Sequence, residues 1–343
     1  MLDKVLGEAG AAVECAGKPA RACDGGRQLD EAAHVLAAFG PPVIVFSASH
    51  SGSRLLALML QRLGVFMGSH LNDSEDSLDV FDLVRYLVEA HAPDYSKLFR
   101  NGDETLRPRA LAAFRSHLVD RPRGCRWGWK LPETSHVMPV MARLFPEARC
   151  IHLVRDGRDV AFSPFLAPKA RFWRKIYFND DRIYSWRGHA MTQRAYRTHG
   201  HLFNAARWVN SVTLGRAHGG MLGERYLEVR YEALVADPEA EMARLASFLD
   251  INAPRGDWSD VRAPSVGKWR RQSARQLAEI RPIVEPTLGA FGYAWGDGAA
   301  VGEALQHALG RVSRMLARGE GVSVRPRAEP GGLGGLFRVR TQR

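Results

Sequence analysis

The sequence lacks the marks of several protein classes. Of its 343 residues only four are cysteines (Cys15, Cys23, Cys125 and Cys150), and no two of them form a close C-x-x-C pair. This spacing argues against a zinc framework or a disulfide scaffold. No segment reaches the roughly 18 apolar residues that a membrane span needs, and the charged start, residues 1–8, does not resemble a secretory signal. We therefore expect a cytoplasmic protein without a membrane span.

Negative charge is also in short supply. The chain has 48 Lys and Arg residues against 37 Asp and Glu, which gives a net charge of +11. This surplus of positive charge is compatible with an anionic ligand, nucleic acid or an acidic surface as the partner, and it does not distinguish among them. Much of it is arginine, whose guanidinium makes forked hydrogen bonds to phosphate and sulfate.

Apolar runs with strand character alternate with segments of helical periodicity. Strands are predicted at 43–47, 126–130, 149–154 and 226–230, and helices at 53–63, 78–91, 106–118, 134–145, from Asp237 onward, and 273–290. This alternation predicts an α/β fold of three layers, α/β/α, with a central parallel sheet. Ligands of such folds bind beyond the carboxyl ends of the strands.

The predicted domain organisation has four parts. Residues 1–38 are expected to be a loosely ordered leader with one helix, and 39–317 a single domain. Within that domain, 166–222 is expected to be a mostly helical insert beside the site. The Gly-, Pro- and Arg-rich segment 318–343 is expected to be a flexible basic tail.

The most informative segment is the strand 43–47 with the small-residue turn and helix that follow. This geometry directs backbone N–H groups and a helix N-terminus at one spot, which suits a phosphate. A Walker A loop has a lysine after its last glycine, but here Gly52 is followed by Ser53, and Ser47 stands at the first glycine position. A triphosphate site is therefore disfavoured and a smaller dianion is favoured. An ordinary strand–turn–helix of an α/β core is the alternative interpretation.

A second segment follows the predicted strand 149–154. Arg155 leaves the strand at its carboxyl end and Ser163 lies on the next turn or helix, so both can reach one anion. The alternative is a solvated network of salt bridges among Arg155, Asp156, Arg158 and Asp159.

Together these segments resemble the sulfotransferases that use 3′-phosphoadenosine 5′-phosphosulfate (PAPS). The family's 5′-phosphosulfate loop is matched by His50-Ser51-Gly52-Ser53-Arg54, and its 3′-phosphate segment by Arg155-Asp156-Gly157-Arg158-Asp159 through Ser163. Further matches are Lys130-Leu131-Pro132, residues 144–149, residues 229–234 followed by Asp237-Pro238, and Gly267-Lys268-Trp269-Arg270. The order and approximate spacing agree over about residues 42–296.

The resemblance implies a P-loop-NTPase-like sulfotransferase fold and in-line transfer of a sulfuryl group from PAPS to a hydroxyl or amine. PAPS is the implied cosubstrate, and no metal is required if side chains neutralise the leaving phosphate. The resemblance assigns the 5′-phosphate to the amides of residues 51–54 and the Ser53 hydroxyl, and the 3′-phosphate to Arg155, Ser163, Lys268 and Arg270. Trp269 either lines the adenine or belongs to the core, and Tyr231 either contacts the nucleotide or is a core residue.

Two basic residues are expected to lie near the leaving phosphate. Lys130 is expected either to donate to the departing oxygen or to be a simple surface lysine. His50 departs from the family, which has lysine or arginine there, and a histidine is only partly charged near neutral pH. We therefore expect a pH dependence around 6 to 7, or else that Lys130 takes over this role, with Arg54 supplying a permanent charge.

The general base is expected in the acidic segment 68–77. Asp76 is the first candidate, followed by Glu75 and His70. The alternative is that this segment only caps the helix predicted at 78–91, through Ser77 or Asp76.

Two other functions compete with sulfuryl transfer. One is a P-loop kinase or NTPase, against which the absent lysine argues, and the other is a basic nucleic-acid-binding protein, which lacks a recognisable reading motif. We expect a carbohydrate or small-molecule acceptor and no nucleic acid. The aromatic residues of the insert either contact that acceptor or form the insert's own core (Phe172, Trp173, Tyr177, Tyr184, Trp186 and Trp208).

Overall fold

The computed structural model describes residues 24–92, 94–164, 200–252, 257–258, 261 and 265–295, with the backbone of 185–186 and 189–190. The chain divides into two compact units, residues 1–287 and 288–343. Most of the predicted leader, most of the insert and the whole predicted tail lie outside the described residues. In the second unit, the described residues 288–295 form a 3₁₀ turn, Gly289–Phe291.

A four-stranded parallel sheet forms the centre of the first unit. Its strands are β1 (Val43–Ser47), β2 (Gly128–Lys130), β3 (Arg149–Val154) and β6 (Tyr226–Arg230), in the order β2-β1-β3-β6. Strands β4 (Ser185–Trp186) and β5 (His189–Ala190) form a separate antiparallel pair. The chain leaves β1 toward β2 and leaves β3 toward β6, in opposite directions across the sheet. A crevice therefore opens between the carboxyl ends of β1 and β3, where such folds bind ligands.

The helices connect these strands as the alternation in the sequence predicts. In chain order they are α1 (Asp24–Leu36), α2 (Ser53–Arg62), α3 (Leu78–His91), α4 (Ser96–Asn101), α5 (Leu106–His117), α6 (Thr134–Leu144), α7 (Gly157–Ala161), α8 (Gly200–Leu222), α9 (Tyr231–Ala236), α10 (Pro238–Phe248) and α11 (Ala274–Leu288). The described helices include none that is long and apolar enough to cross a membrane.

Both faces of the sheet are covered by helices. On one face, alternate strand residues such as Val45 and Leu153 pack with the apolar sides of α2 and α10. On the other face, the His152 ring stacks on Phe46 at 4.9 Å between ring centres, and a Cβ at Gly215 of α8 would lie 2.6 Å from that ring. The predicted three-layer α/β/α arrangement is confirmed.

The α1 helix falls inside the segment that composition predicts to be a loosely ordered leader. Leu29, Ala32 and Leu36 are buried, and they recur at the three- and four-residue spacing of one helix face. Arg143 Nε donates to Asp30 at 2.7 Å, which ties α1 to α6. Well-packed structure thus begins before residue 39, where the predicted domain starts.

Candidate active site

The turn after β1 has an unusual backbone. His50 and Gly52 both have positive φ, 68° and 87°, and Gly52 is the N-cap of α2. A Cβ at Gly52 would overlap the Tyr231 ring, so only glycine fits there. Ser47 and Ser51 are buried, and neither hydroxyl has a hydrogen-bond partner among the described residues. Because buried hydroxyls are normally satisfied, the turn is chemically incomplete without a polar ligand.

Arg155 lies directly beside this turn. The residue is only 4 % exposed, and its guanidinium donates to the His50 carbonyl at 3.4 Å and to the Ser265 carbonyl and lies 4.6 Å from the centre of the Tyr231 ring. Its Nε has no partner in the part of the chain that the structure describes. The salt bridges of the alternative interpretation are present, between Arg155 and Asp159 at 3.4 Å and between Arg158 and Asp156 at 2.8 Å, but they are buried at the crevice and not solvated.

Ser163 and Lys268 complete a second polar group around Arg155. Lys268 Nζ donates to Ser163 Oγ at 2.8 Å, and Ser163 Oγ donates to the Asp159 carbonyl at 3.0 Å. Burial, followed by the charge of Arg155, lowers the pKa of Lys268. The structure thus brings together three predicted anion-binding residues from segments about a hundred positions apart.

The basic segment, which we define as residues 265–271, carries Lys268 to this place. Trp269 is buried, with the Arg158 guanidinium 3.9 Å and the Arg270 guanidinium 4.7 Å from its ring centre. Trp269 is therefore packed as the core alternative predicts, and two guanidinium groups lie against its ring. Arg270 itself is exposed, as is Arg54 on the first turn of α2.

His50 is neutral at pH 7, which differs from the partial charge that we expected. Desolvation by the protein atoms around the ring, together with the positive charges of Arg207, Lys268 and Arg155, lowers its pKa to about 4, although the residue as a whole is exposed on the turn. The expected pH dependence of catalysis around 6 to 7 stays a prediction, and the sequence did not indicate how many cations converge on this ring.

Lys130 ends β2 at the same edge of the sheet. Its side chain is buried, so the surface-lysine alternative is wrong. Its Nζ donates to Asp76 Oδ1 at 2.6 Å and to the carbonyl of Ser74. The first candidate for the general base is therefore joined to the predicted leaving-group lysine.

The other two base candidates lie away from Lys130. Glu75, with φ of 63°, accepts a hydrogen bond from Gln61 Nε2 at 2.9 Å. His70 Nδ1 lies 3.1 Å from Asp79 Oδ2 on the surface. Ser77, not Asp76, caps α3, since Ser77 Oγ accepts from the Val80 N–H at 3.2 Å. Of the three candidates, only Asp76 contacts Lys130.

Three residues that shape the site were given no specific role there by sequence reasoning. Asp159 is fully buried and accepts hydrogen bonds from the basic segment. Arg207 of α8 is buried and donates to the Ser49 carbonyl at 3.4 Å. Trp208, assigned to an acceptor wall or an insert core, donates from Nε1 to the Arg155 carbonyl at 2.9 Å. Asp159 stands inside the segment that resembles the family's 3′-phosphate motif, whereas the only sequence signal of Arg207 and Trp208 was charge or aromaticity on a segment without a clear apolar stripe.

The described residues contain no group of three side chains that could hold a metal ion. Within the described ranges, Arg155, Lys268 and Arg207 bring positive charge to the turn at His50, and Lys130 lies at the end of β2, paired with Asp76.

A family of known proteins matches this chain. The family described as the Sulfotransferase family matches residues 41–255, more than half of the chain. No curated protein sequence matches at a significant level.

Solved structures of sulfotransferases align with the chain at low identity. The sulfotransferase domain of the Synechococcus PCC 7002 olefin synthase is 18% identical, with 75% of this chain and 96% of that one covered and a TM-score of 0.43. A sulfotransferase from Alicyclobacillus acidocaldarius is 16% identical (73% and 98% covered, TM-score 0.40). Mouse sulfotransferase SULT7A1, complexed with PAP, is 13% identical (78% and 88% covered, TM-score 0.40). On the family match, the chain belongs to the sulfotransferase family.

Proposed function

We propose that the protein transfers the sulfuryl group of PAPS to a hydroxyl or amine of a carbohydrate or small-molecule acceptor. The observation that carries this proposal is the convergence, at the carboxyl edge of the sheet, of two separate anion-binding groups. One is the turn of residues 47–53, and the other joins Arg155, Ser163 and Lys268. A donor with phosphate groups at both its 5′ and 3′ positions needs two such groups.

The residues present fit this donor. The unsatisfied hydroxyls of Ser47 and Ser51 and the Nε of Arg155 are buried donors that an anion would satisfy. The backbone at Gly52 leaves no room for a side chain, which allows a close approach of a ligand to the main chain. In this assignment Ser51, Gly52, Ser53 and Arg54 hold the 5′ group, and Arg155, Ser163 and Lys268 hold the 3′-phosphate. Tyr231, Trp269 and Arg270 border them.

PAPS, when bound, supplies an activated sulfuryl group on a phosphate leaving group. The acceptor oxygen, or the nitrogen of an amine, loses its proton and forms a new bond to sulfur while the S–O bond to the 5′-phosphate breaks, so negative charge develops on that phosphate. We assign the stabilisation of this developing charge to Arg207, which donates to the Ser49 carbonyl in the turn, and to Lys130, which ends β2 at the same edge of the sheet.

Asp76 is the residue that we assign to accept the proton of the acceptor hydroxyl. The Lys130 ammonium fixes one of its oxygens at 2.6 Å, so the carboxylate is oriented before the acceptor binds. Because the base is already oriented, less conformational entropy is lost when the reactive geometry forms.

Calorimetric titration with 3′-phosphoadenosine 5′-phosphate (PAP) tests the donor. We expect wild type to bind PAP and Arg155→Ala to bind it about 10 to 100 times more weakly, since hydrogen bonds to charged groups contribute about 1.5–3 kcal/mol. Arg143→Ala is the control, because Arg143 pairs with Asp30 on the surface and touches none of the site. A wild-type protein that fails to bind PAP, or that hydrolyses ATP with magnesium instead, would contradict the proposal.

A further inference from the structure

Asp159 is a fully buried carboxylate at the centre of the site, and the roles assigned above do not use it. It lies on α7, one turn after Arg155. Its Oδ2 accepts from the Gly267 N–H at 2.8 Å and its Oδ1 from the Trp269 N–H at 3.0 Å. A buried charge is costly unless it is paired and hydrogen-bonded, so a carboxylate kept here has its main partners on the basic segment.

The backbone of the basic segment is shaped to receive this carboxylate. Gly267 has a φ of 71°, in the left-handed region, and it caps the short 3₁₀ helix Lys268–Arg271. A left-handed residue followed by a helical turn directs nearby N–H groups into one concavity, which binds anions. Here the anion is a side chain of the same protein.

Asp159 also balances the charges that the segment brings. Lys268 and Arg155 carry like charges and lie close to each other. In addition to burial, the positive charge of Arg155 lowers the pKa of Lys268, whereas the negative charge of Asp159 raises it. Arg155 Nη2 lies 3.4 Å from Asp159 Oδ2. Without this carboxylate, repulsion between the two cations would push the basic segment away from the sheet.

We propose that Asp159 is a positioning residue that latches the basic segment onto the Arg155–Ser163 group, so that Lys268 becomes part of the anion site before any ligand binds. Asp159 has no role in contact with transferring atoms. The assignment of the anion as a 3′-phosphate rests on the proposed function, but the latch itself does not.

The first test needs no ligand. Both oxygens of Asp159 accept hydrogen bonds from backbone N–H groups, and in Asp159→Asn one of them is replaced by an N–H₂ group that cannot accept. We therefore expect the basic segment to detach from α7. Trypsin should then cleave after Lys268, Arg270 or Arg271 about ten times faster or more than in wild type. Asp103→Asn is the matched control, since Asp103 is a largely buried carboxylate that holds the Thr105 N–H at 2.9 Å and bonds nothing in residues 265–271. Equal cleavage rates in wild type and Asp159→Asn would overturn the latch.

The second test measures coupling to binding. We expect Asp159→Asn to weaken PAP binding about 10- to 100-fold, the range seen when a residue that orients ligand-binding groups is lost. In the Lys268→Ala background the same substitution should have little further effect, because both changes remove the same contact. Fully additive losses would contradict action through the segment.

The outcomes separate the latch from the proposed function. If the segment opens in Asp159→Asn while PAP binds neither protein, the latch holds and the donor assignment is wrong. If Asp159→Asn does not fold, amide exchange in wild type decides: the Gly267 and Trp269 N–H groups must exchange slowly, and rapid exchange overturns the latch.

Discussion

His50 stands where the family resemblance predicts a lysine or an arginine. Unlike theirs, its protonation depends on the cationic side chains around it. Although His50 is exposed on the turn, desolvation of its ring and the charges of Arg207, Lys268 and Arg155 lower its pKa to about 4 and so oppose protonation at pH 7. These same charges would be offset by a bound phosphate. Proton uptake at His50 and anion binding are therefore linked.

This linkage predicts a pH dependence with a definite sign. In the free protein the His50 imidazole should titrate near pH 4, and saturating PAP should raise its pKa. PAP affinity should then increase as the pH falls between the pKa of the complex and that of the free protein. NMR titration of the imidazole, with and without PAP, measures both values.

His50→Gln serves as the control for this prediction. The variant should lose the part of the pH dependence that is due to His50 and retain the part due to the ligand's own phosphates. An imidazole pKa that PAP leaves unchanged would contradict the linkage. For folding the sign is opposite: the contribution of neutral His50 is complete above pH 6.5 and is lost as the pH falls toward 4.

Two glycines of similar backbone conformation allow the crowding at Gly52 to be measured. Gly52 and Gly64 have φ of 87° and 83°, but only Gly52 lies against a ring, that of Tyr231. We expect Gly64→Ala to cost about 1–2 kcal/mol of unfolding free energy from the strained φ alone, and Gly52→Ala to cost about 1–3 kcal/mol more from overpacking. Denaturant unfolding of the two variants measures both, and equal costs would mean that Tyr231 moves aside freely.

At the scale of elements, the loop before α3 is the part that orients the proposed base. Ser69 N–H donates to the His117 carbonyl at 3.0 Å, and Ser77 Oγ bonds the His117 ring at 2.9 Å. Ser77 N–H also donates to the Lys130 carbonyl at 3.2 Å. The loop is thus fixed at both ends, and Asp76 is held against Lys130 by its neighbours.

Substitution of neighbouring carboxylates tests this arrangement. Asp76→Asn should lower kcat about 10²- to 10⁴-fold, the usual effect of losing a general base, with little change in PAP binding. Glu75→Gln should leave kcat nearly unchanged, because Glu75 bonds Gln61 instead. Steady-state kinetics with any accepted sulfuryl acceptor distinguishes the two, and equal losses would contradict the role of Asp76.

The elements that sequence patterns predicted well are those with a strong local signal. The strand 43–47 was clear because all five residues are apolar or small, and it is fully buried. Asp237 with Pro238 marked the start of α10, and Asp237 Oδ1 does accept from the Ala240 N–H. By contrast, α8 runs unbroken for 23 residues although its apolar residues form no clear stripe, because sheet, helices and site surround it.

At the scale of the whole molecule, sequence order indicated which segments supply the site but not how they meet. The pairing of Lys130 with Asp76 was not predictable from the sequence. Asp76 lies 54 positions away, in a loop whose sequence also fits a helix cap. The burial of Asp159 and Arg207 was not predicted because charged residues are usually exposed, and only the assembled fold shows that these two are buried. Burial of charge depends on packing between distant segments, which local patterns do not contain.

The separation of the contacting segments has a consequence for folding. The contacts that build the site join residues 105, 108 and 110 positions apart, between the turn after β1, the end of β3 and the basic segment. Such non-local contacts carry a high loop-closure cost and form slowly. The ability to bind an anion should therefore appear late in refolding, after the helices have formed, and a fluorescent nucleotide would report the last stage of assembly.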